Sequence, residues 1–134
     1  MKILMDTQIL IWYQLYDTKL HANIYDLLTQ LENTVYVSQI SLVEIAIKQK
    51  IGKLTELDVS ISTIASLIEQ DGFVILPLQT KHIEAYSEIP LFPEHRDPFD
   101  RLLLATAFSE NIPIVSSDGY FGLYNQHVRV FNNA

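Results

Sequence analysis

Short apolar runs alternate along the chain with longer segments in which apolar residues recur at helical spacing. The short runs are rich in β-branched residues and predict strands over residues 3–5, 35–37, 74–76, 114–115 and 128–131. The longer segments predict helices over residues 8–16, 21–32, 41–51, 60–71, 80–88 and 98–110. Most of the strand runs lack polar alternation, which is typical of strands buried on both faces of a parallel sheet. The pattern therefore predicts an α/β fold: a three-layer sandwich with a central parallel five-stranded sheet flanked by helices.

The helix predicted over residues 98–110 has the clearest boundaries. Asp97 is suited to be its N-cap and Pro98 its first residue, which leaves Asp100 in the first turn. This segment is apolar almost all round, so we expect a buried, central helix. The helix over residues 41–51 should end at Gly52, a glycine that follows lysines in the last turn.

Composition indicates one domain over residues 1–134. Hydrophobic residues make up 49% of the chain and charged residues 19%, which is typical of a globular protein. The absence of cysteine excludes disulfides, zinc–thiolate sites and cysteine nucleophiles, and it fits a reducing cytosol. Asp6 interrupts the apolar N-terminal run, and no stretch approaches the length of a membrane helix, so we expect neither a signal peptide nor a membrane span. We expect a soluble, cytoplasmic protein.

The formal net charge of −7 argues against broad binding of a phosphate backbone through Lys and Arg. An acidic protein can still act on nucleic acid where metal ions reverse the sign of the local charge. The net charge therefore argues against binding nucleic acid through Lys and Arg alone, but it does not exclude nucleic acid as the substrate.

Four acidic residues fall where a predicted strand ends or a predicted helix begins. Asp6 directly follows the first strand, and Asp118 follows the fourth. Glu44 lies near the start of the helix after the second strand, and Asp100 opens the buried helix. Because sites in open α/β sheets lie outside the carboxyl ends of the strands, we expect all four at one edge of the sheet.

Each of these acids also has an ordinary explanation. Asp118 is suited to a turn, Asp100 to the positive end of a helix, and Glu44 to an ion pair with Lys48 one turn later. Asp6 is the hardest to explain in this way, because burying an unpaired carboxylate at the end of a strand costs folding free energy. The joint placement of the four favours a functional site.

Carboxylates gathered without an equal set of bases repel one another unless protons or cations intervene. Oxygen ligands without cysteine suit Mg²⁺ or Mn²⁺ better than zinc. Metals held in this way serve phosphoryl chemistry. The residues alone therefore indicate Mg²⁺-dependent phosphotransfer or phosphodiester hydrolysis.

Four segments, in order, resemble the PIN domain and, more narrowly, the VapC-like toxins of toxin–antitoxin systems. The segments are LMDT with LIW (residues 4–7 and 10–12), SQISLVEIAIK with GKL (38–48 and 52–54), HRDPFDRLL (95–103) and IVSSD with Phe121 (114–118). The resemblance spans nearly the whole chain, and its most specific part is DPFDRLL. It implies a PIN fold and a Mg²⁺- or Mn²⁺-dependent endoribonuclease that hydrolyses RNA with a metal-activated water. It also implies a cognate antitoxin protein as partner and a homodimer.

Carried over by position, the resemblance makes Asp6, Glu44, Asp100 and Asp118 both the metal ligands and the catalytic acids. Thr7 and Ser116 become the hydroxyl neighbours that tune them. Ser116 replaces the threonine that the family often has there, which keeps the hydroxyl. Gln8 stands where relatives often carry histidine, and we assign it no role.

The residues around these acids leave alternatives open. Asp97 is either an N-cap or a residue that ligates the metal or supports its ligands. Arg96 and Arg101 either touch the scissile phosphate, hold a carboxylate in place or balance surface charge. The lysines of the predicted helix end either guide RNA or offset the helix C-terminus; they are Lys48, Lys50 and Lys53. The histidines have no metal-ligand spacing and are interpreted as structural or surface residues; they are His21, His82, His95 and His127.

Two other folds with an acidic site fit less well. A phosphoacceptor receiver domain needs paired acids after the first strand, an acid after the third and a lysine after the fifth, and this chain has none of them. A haloacid-dehalogenase-like phosphatase needs an aspartate two positions after Asp6, where this chain has Gln8. An alternative of another class is a catalytically silent PIN-fold module that binds RNA or protein, and measured hydrolysis separates it from the enzyme.

Overall fold

A computed structural model describes residues 1–133 and contains five strands and six α-helices. The strands are β1 (Lys2–Met5), β2 (Thr34–Ser38), β3 (Val74–Leu76), β4 (Ile114–Ser116) and β5 (Val130–Asn132). The helices are α1 (Thr7–Leu15), α2 (Ala22–Thr29), α3 (Gln39–Lys50), α4 (Ile61–Gln70), α5 (Thr80–Ala85) and α6 (Pro98–Glu110). Two 3₁₀ helices, Tyr86–Glu88 and Gly119–Tyr124, complete the structure.

The strands form one parallel sheet in the order β3–β2–β1–β4–β5. Met5 of β1 is paired with Val37 of β2 on one side and with Val115 of β4 on the other. In chain order, β2 and β3 are added on one side of β1, and β4 and β5 are then added on its other side. This reversal leaves a crevice at the carboxyl ends of β1 and β4, where open α/β sheets place their sites.

Alternate residues of β1 point into two separate apolar layers. Ile3 and Met5 pack with α1, α2 and α4 on one face of the sheet, and Leu4 packs with α6 on the other. Both faces of the central strands are therefore covered, as in a three-layer sandwich. The predicted fold class, with its central parallel five-stranded sheet, is confirmed.

Several predicted boundaries differ from the observed ones. The fifth strand was expected over residues 128–131 but runs over Val130–Asn132, because Val128 is buried in the apolar layer beside α6 rather than paired in the sheet. Helix α3 begins two residues early, capped by the hydroxyl of Ser38. The 3₁₀ helix Gly119–Tyr124 was not predicted. Its Gly119 and Gly122 are typical of turns, and its buried Phe121 and Tyr124 give no helical periodicity over so short a segment.

Strands β3 and β5 form the two edges of the sheet and are only partly buried. The central strands are buried almost throughout, as the lack of polar alternation predicts. No helix within residues 1–133 combines the length and the apolar character needed to cross a membrane.

We expect Leu104→Ala to lower the free energy of unfolding by about 2–5 kcal/mol, because the truncation leaves a cavity in a filled apolar layer. Leu104 is fully buried between α6 and the sheet, whereas Leu31 is fully exposed. Urea unfolding followed by circular dichroism measures the difference, with Leu31→Ala as the matched control. Equal losses for the two variants would contradict the described packing.

Candidate functional site

Asp6 lies immediately after β1 and is held by the backbone on two sides. Its Oδ1 accepts a hydrogen bond from the Ile9 N–H of α1 at 2.8 Å, and its Oδ2 accepts one from the Ser117 N–H beyond β4 at 3.3 Å. The Ser116 side chain adds a further hydrogen bond. Burial nevertheless raises the pKa of Asp6 to about 6, because these donors offset only part of the lost hydration.

Glu44 lies in the second turn of α3 and faces Asp6 across the crevice. The Thr7 hydroxyl donates to Glu44 Oε1 at 2.6 Å and lies 2.9 Å from the Ser41 hydroxyl. Burial raises the pKa of Glu44, and the negative charges of Asp100 and Asp97 raise it further. Thr7, predicted as a hydroxyl neighbour of the acids, therefore orients Glu44.

Asp97 and Asp100 open α6 as the sequence predicts. Asp97 is the N-cap: its Oδ1 accepts from the N–H groups of Phe99 and Asp100, at 2.8 and 3.2 Å. Asp100 therefore stands at the third position of the helix and points into the crevice. Burial raises its pKa to about 6, with the nearby charge of Asp97 as the second cause.

Asp118 follows β4 and caps the 3₁₀ helix. Its Oδ1 accepts from the Tyr120 N–H at 2.8 Å, while its own N–H donates to the Ser116 hydroxyl at 2.9 Å. Asp118 therefore does make the turn that its sequence context suggests, through Oδ1. Its Oδ2 makes no part of that turn and faces the crevice. Ser116, fully buried, contacts both Asp6 and Asp118.

The predicted acids meet in one cleft of about 280 Å³. This acid cleft is lined by Asp6, Thr7, Gln8, Glu44, Lys48, Asp97, Asp100, Ser117 and Asp118. Residues separated by more than 100 positions thus share a single cavity, as the parallel-sheet argument predicts. Lys48 is the one cation on its wall within residues 1–133.

His95 belongs to this constellation, although its sequence position did not indicate a functional role. It is 5% exposed, and its Nε2 lies 3.1 Å from Asp100 Oδ2 and 3.5 Å from Asp118 Oδ2. A bridge between Phe92 and His95 folds the preceding loop so that the ring reaches both acids. The only signal in the sequence was its place in HRDPFD, five residues before Asp100.

An aromatic cage fixes the His95 ring. The Tyr124 hydroxyl lies 2.8 Å from Nδ1, Tyr120 stacks on the ring at 6.0 Å, and Phe121 meets it edge-on at 5.6 Å. Burial raises the pKa of Tyr124, which keeps its hydroxyl protonated and able to donate. Because an ionised carboxylate only accepts, we infer that Nε2 carries the proton and that Nδ1 accepts from Tyr124.

The donor set fits a hard divalent cation. Ligand atoms of His95, Asp100 and Asp118 all lie within 4.8 Å of one another, and carboxylates of Asp6 and Glu44 line the same cleft. The raised pKa values of three of these acids reflect burial and mutual repulsion, which a bound cation relieves. Carboxylate oxygens favour Mg²⁺ or Mn²⁺, whereas His95, with the proton on Nε2, donates to the acids and does not ligate the cation.

Three predicted candidates lie outside the cleft. Arg101 points away from the acids: it is 3% exposed and donates to the carbonyls of Ile89 and Pro90 and to the Tyr86 hydroxyl. The expectations that it holds a carboxylate, touches phosphate or balances surface charge are therefore wrong, because it ties α6 to the segment that follows α5. Arg96 and Lys50 are exposed and do not line the acid cleft.

Comparisons with known proteins agree with this architecture. The sequence model of the PIN domain family matches residues 3–125. The fold is similar to VapBC2 from Rickettsia felis bound to a DNA fragment from its promoter, with a TM-score of 0.74, 20% identity and 98% of each chain covered. It is also similar to FitAcB from Neisseria gonorrhoeae, with a TM-score of 0.65, 22% identity and coverage of 98% of this chain and 97% of that one. No curated protein matches the sequence significantly.

We expect the stability of the cation-free protein to fall as the pH rises from about 4 to about 6. The folded pKa of Asp100 exceeds its unfolded value, so the folded state binds more protons in this window and loses that advantage once the acid ionises. Asp100→Asn removes the ionisation. In EDTA, its free energy of unfolding relative to the wild type should increase by about 1–3 kcal/mol between pH 4 and pH 7.5.

Chemical denaturation at the two pH values measures this difference. Asp26→Asn, on the exposed surface of α2, controls for the substitution itself. A difference that is the same at both pH values would show that burial does not raise the pKa of Asp100.

We expect the long-range ¹H–¹⁵N spectrum of His95 to report a proton on Nε2, the nitrogen that faces the acids. Tyr124→Phe should shift the Nδ1 resonance most, because it removes the hydroxyl that donates to that nitrogen. A spectrum with the proton on Nδ1 alone would contradict the inferred arrangement.

Proposed function

The chain belongs to the PIN domain family, and from that premise we propose that it is a Mg²⁺- or Mn²⁺-dependent endoribonuclease, the toxin of a toxin–antitoxin pair. The observation that carries the proposal is the convergence of Asp6, Glu44, Asp100 and Asp118 in one cleft at the carboxyl edge of the sheet. Each comes from a different element, and burial raises the pKa of three of them. Such a charge concentration costs stability, which is expected of a functional site rather than a structural one.

In the proposed mechanism, Asp6, Glu44, Asp100 and Asp118 would hold the divalent cation, with His95 beside the last two. A cation bound there would activate water for hydrolysis and neutralise charge on the phosphate oxygens. The remaining roles belong to the protein: it fixes the acids in a confined space and admits the phosphodiester.

The acids are fixed before any ligand arrives. Two backbone N–H groups hold Asp6, the Thr7 hydroxyl holds Glu44, and the cap made by Asp97 fixes the first turn of α6 on which Asp100 stands. This preorganisation lowers the cost of assembling like charges at the moment of binding. Thr7, Ser116 and Asp97 are therefore proposed as supporting residues.

His95 is proposed as a positioning residue. Its ring contacts Asp100 and Asp118 at 3.1 and 3.5 Å and is caged by aromatic side chains, so it sets the separation between two of the acids. The mechanism needs no histidine as a general base.

The proposed partners are an RNA substrate, an antitoxin protein that inhibits the enzyme, and a second copy of the chain in a homodimer. Support comes from the resemblance to VapC-like toxins and from the similarity in fold to VapBC2 and FitAcB. A cytoplasmic location is part of the same proposal, since the substrate and the antitoxin would be found there.

We expect purified protein, freed of any antitoxin, to cut total cellular RNA into discrete fragments with Mg²⁺ or Mn²⁺ and to be inactive in EDTA. Asp100→Asn should lower kcat by more than about 100-fold, because even partners that only orient a metal ligand contribute 10–100-fold. Gel analysis of RNA fragments gives the rates, and Asp26→Asn serves as the control at an exposed carboxylate.

If the wild type and Asp100→Asn are equally inert over a range of metals and RNAs, the proposed hydrolysis is wrong. The catalytically silent module that binds RNA or protein then takes its place.

A further inference from the structure

A second groove, of about 340 Å³, adjoins the acid cleft and carries most of the free positive charge near it. Three of the nine basic residues of the chain line this lysine groove: Lys19, Lys48 and Lys53. The sequence pointed instead to Lys48, Lys50 and Lys53, because Lys19 lies far from them along the chain. Lys50 is exposed and lines neither the groove nor the acid cleft.

The groove adjoins the acid cleft. Gln8 and Lys48 line both cavities, so the two lie side by side and share one border. If one phosphate of a polyanion occupies the acid cleft, its neighbouring phosphates would lie in the groove.

Backbone hydrogen bonds build this juxtaposition. Gly52, with φ 75°, ends α3 in the left-handed conformation, and the Lys53 N–H then donates to the Lys48 carbonyl at 2.8 Å. On the opposite wall, Asp17 accepts from the Lys19 N–H at 2.9 Å, and Asn133 donates to the Lys19 carbonyl at 2.9 Å. Both walls are therefore ordered by the fold itself.

The lysine amines make no salt bridge within residues 1–133. Asp17 and Glu56 also line the groove, yet no carboxylate oxygen within residues 1–133 lies within 4.0 Å of the amine of Lys19, Lys48 or Lys53. In a chain of net charge −7, unpaired cations gathered beside an acidic cleft retain their charge for a ligand.

The groove also offers an apolar surface. Trp12 and Leu15 of α1, both partly exposed, line the groove together with Lys48 of α3. An aromatic ring beside a row of cations is the arrangement that binds single-stranded nucleic acid, because unpaired bases stack while the phosphates meet the amines. A base-paired duplex hides those base faces.

We propose that the lysine groove binds the single-stranded RNA segment adjoining the scissile bond, with Lys19, Lys48 and Lys53 on its phosphates and Trp12 beside its bases. The inference rests on the proposed RNA-cleaving function and gives it a defined path for the substrate. Recognition is through charge and stacking, so the groove sets affinity and orientation rather than sequence preference.

Trp12 is the only tryptophan of the chain and lines this groove, so its fluorescence responds to a ligand bound there. It also lines a neighbouring cavity of about 500 Å³, so the lysine variants decide whether the signal comes from the groove. We expect a short single-stranded RNA to quench it, measured in EDTA and in the Asp100→Asn background so that no RNA is consumed. Affinity is then followed over a series of salt concentrations. At 0.1 M salt the triple variant Lys19→Gln, Lys48→Gln, Lys53→Gln should bind about 100-fold more weakly. The slope of log K against log salt should become shallower by about 2, since each phosphate contact on single strands contributes about 0.7.

The matched control removes the same charge elsewhere: Lys2→Gln, Lys50→Gln and Arg96→Gln are exposed and lie outside the groove. The control should retain the slope of the parent. Equal slopes for the groove variant and the control would overturn the proposal. The proposal is also overturned if a poly-glutamate peptide quenches Trp12 in a lysine-dependent way while RNA does not, because the groove would then serve an acidic protein.

The two proposals fail separately. If the protein hydrolyses RNA but the groove variant binds like the control, the groove is wrong and the nuclease stands. If RNA binding depends on the groove lysines but no hydrolysis occurs with any metal, the nuclease is wrong and the groove stands.

Discussion

The contact between the Asp6 carboxylate and the backbone beyond β4 joins the two halves of the sheet at their carboxyl edge. Asp6 Oδ2 accepts from the Ser117 N–H while Oδ1 accepts from the first turn of α1, so one side chain links β1, α1 and β4. The reversal of strand order at this point makes the contact possible. Ser116 and Asp118 lie at the end of β4, next to this contact. Glu44 and Asp100 are brought to the same edge of the sheet by α3 and α6.

Stability and function oppose each other in this cleft. The apolar layers on both faces of the sheet hold the acids in place, while burial and mutual repulsion raise the pKa values of Asp6, Glu44 and Asp100. A sheet of this kind is stable enough to carry a locally unfavourable charge concentration. The lysine groove moderates that cost only at its border, where Lys48 lowers the pKa of Glu44.

Much of the fold and of the acid cluster follows from local rules. Periodicity predicts the order of strands and helices, Asp97–Pro98 predicts the start of α6, and the parallel-sheet rule places the acids at one edge. Other features depend on contacts made in three dimensions. Arg101 looks like a surface charge until its carbonyl partners around residues 89–90 are known, and His95 reaches the acids only through a loop without periodicity. Lys19 is far from Lys48 in the sequence, and only the folded structure places both in one groove.

The link between Asp6 and Ser117 spans 111 residues, and this separation has a consequence for synthesis. A nascent chain emerges from the ribosome N-terminus first, and β1 has no β4 beside it until synthesis has passed residue 116. Closing so long a loop is also slow compared with forming a helix. A chain that ends before β4 therefore carries Asp6 and Glu44 without Asp118, so the acid cleft assembles only after residues 114–118 have emerged.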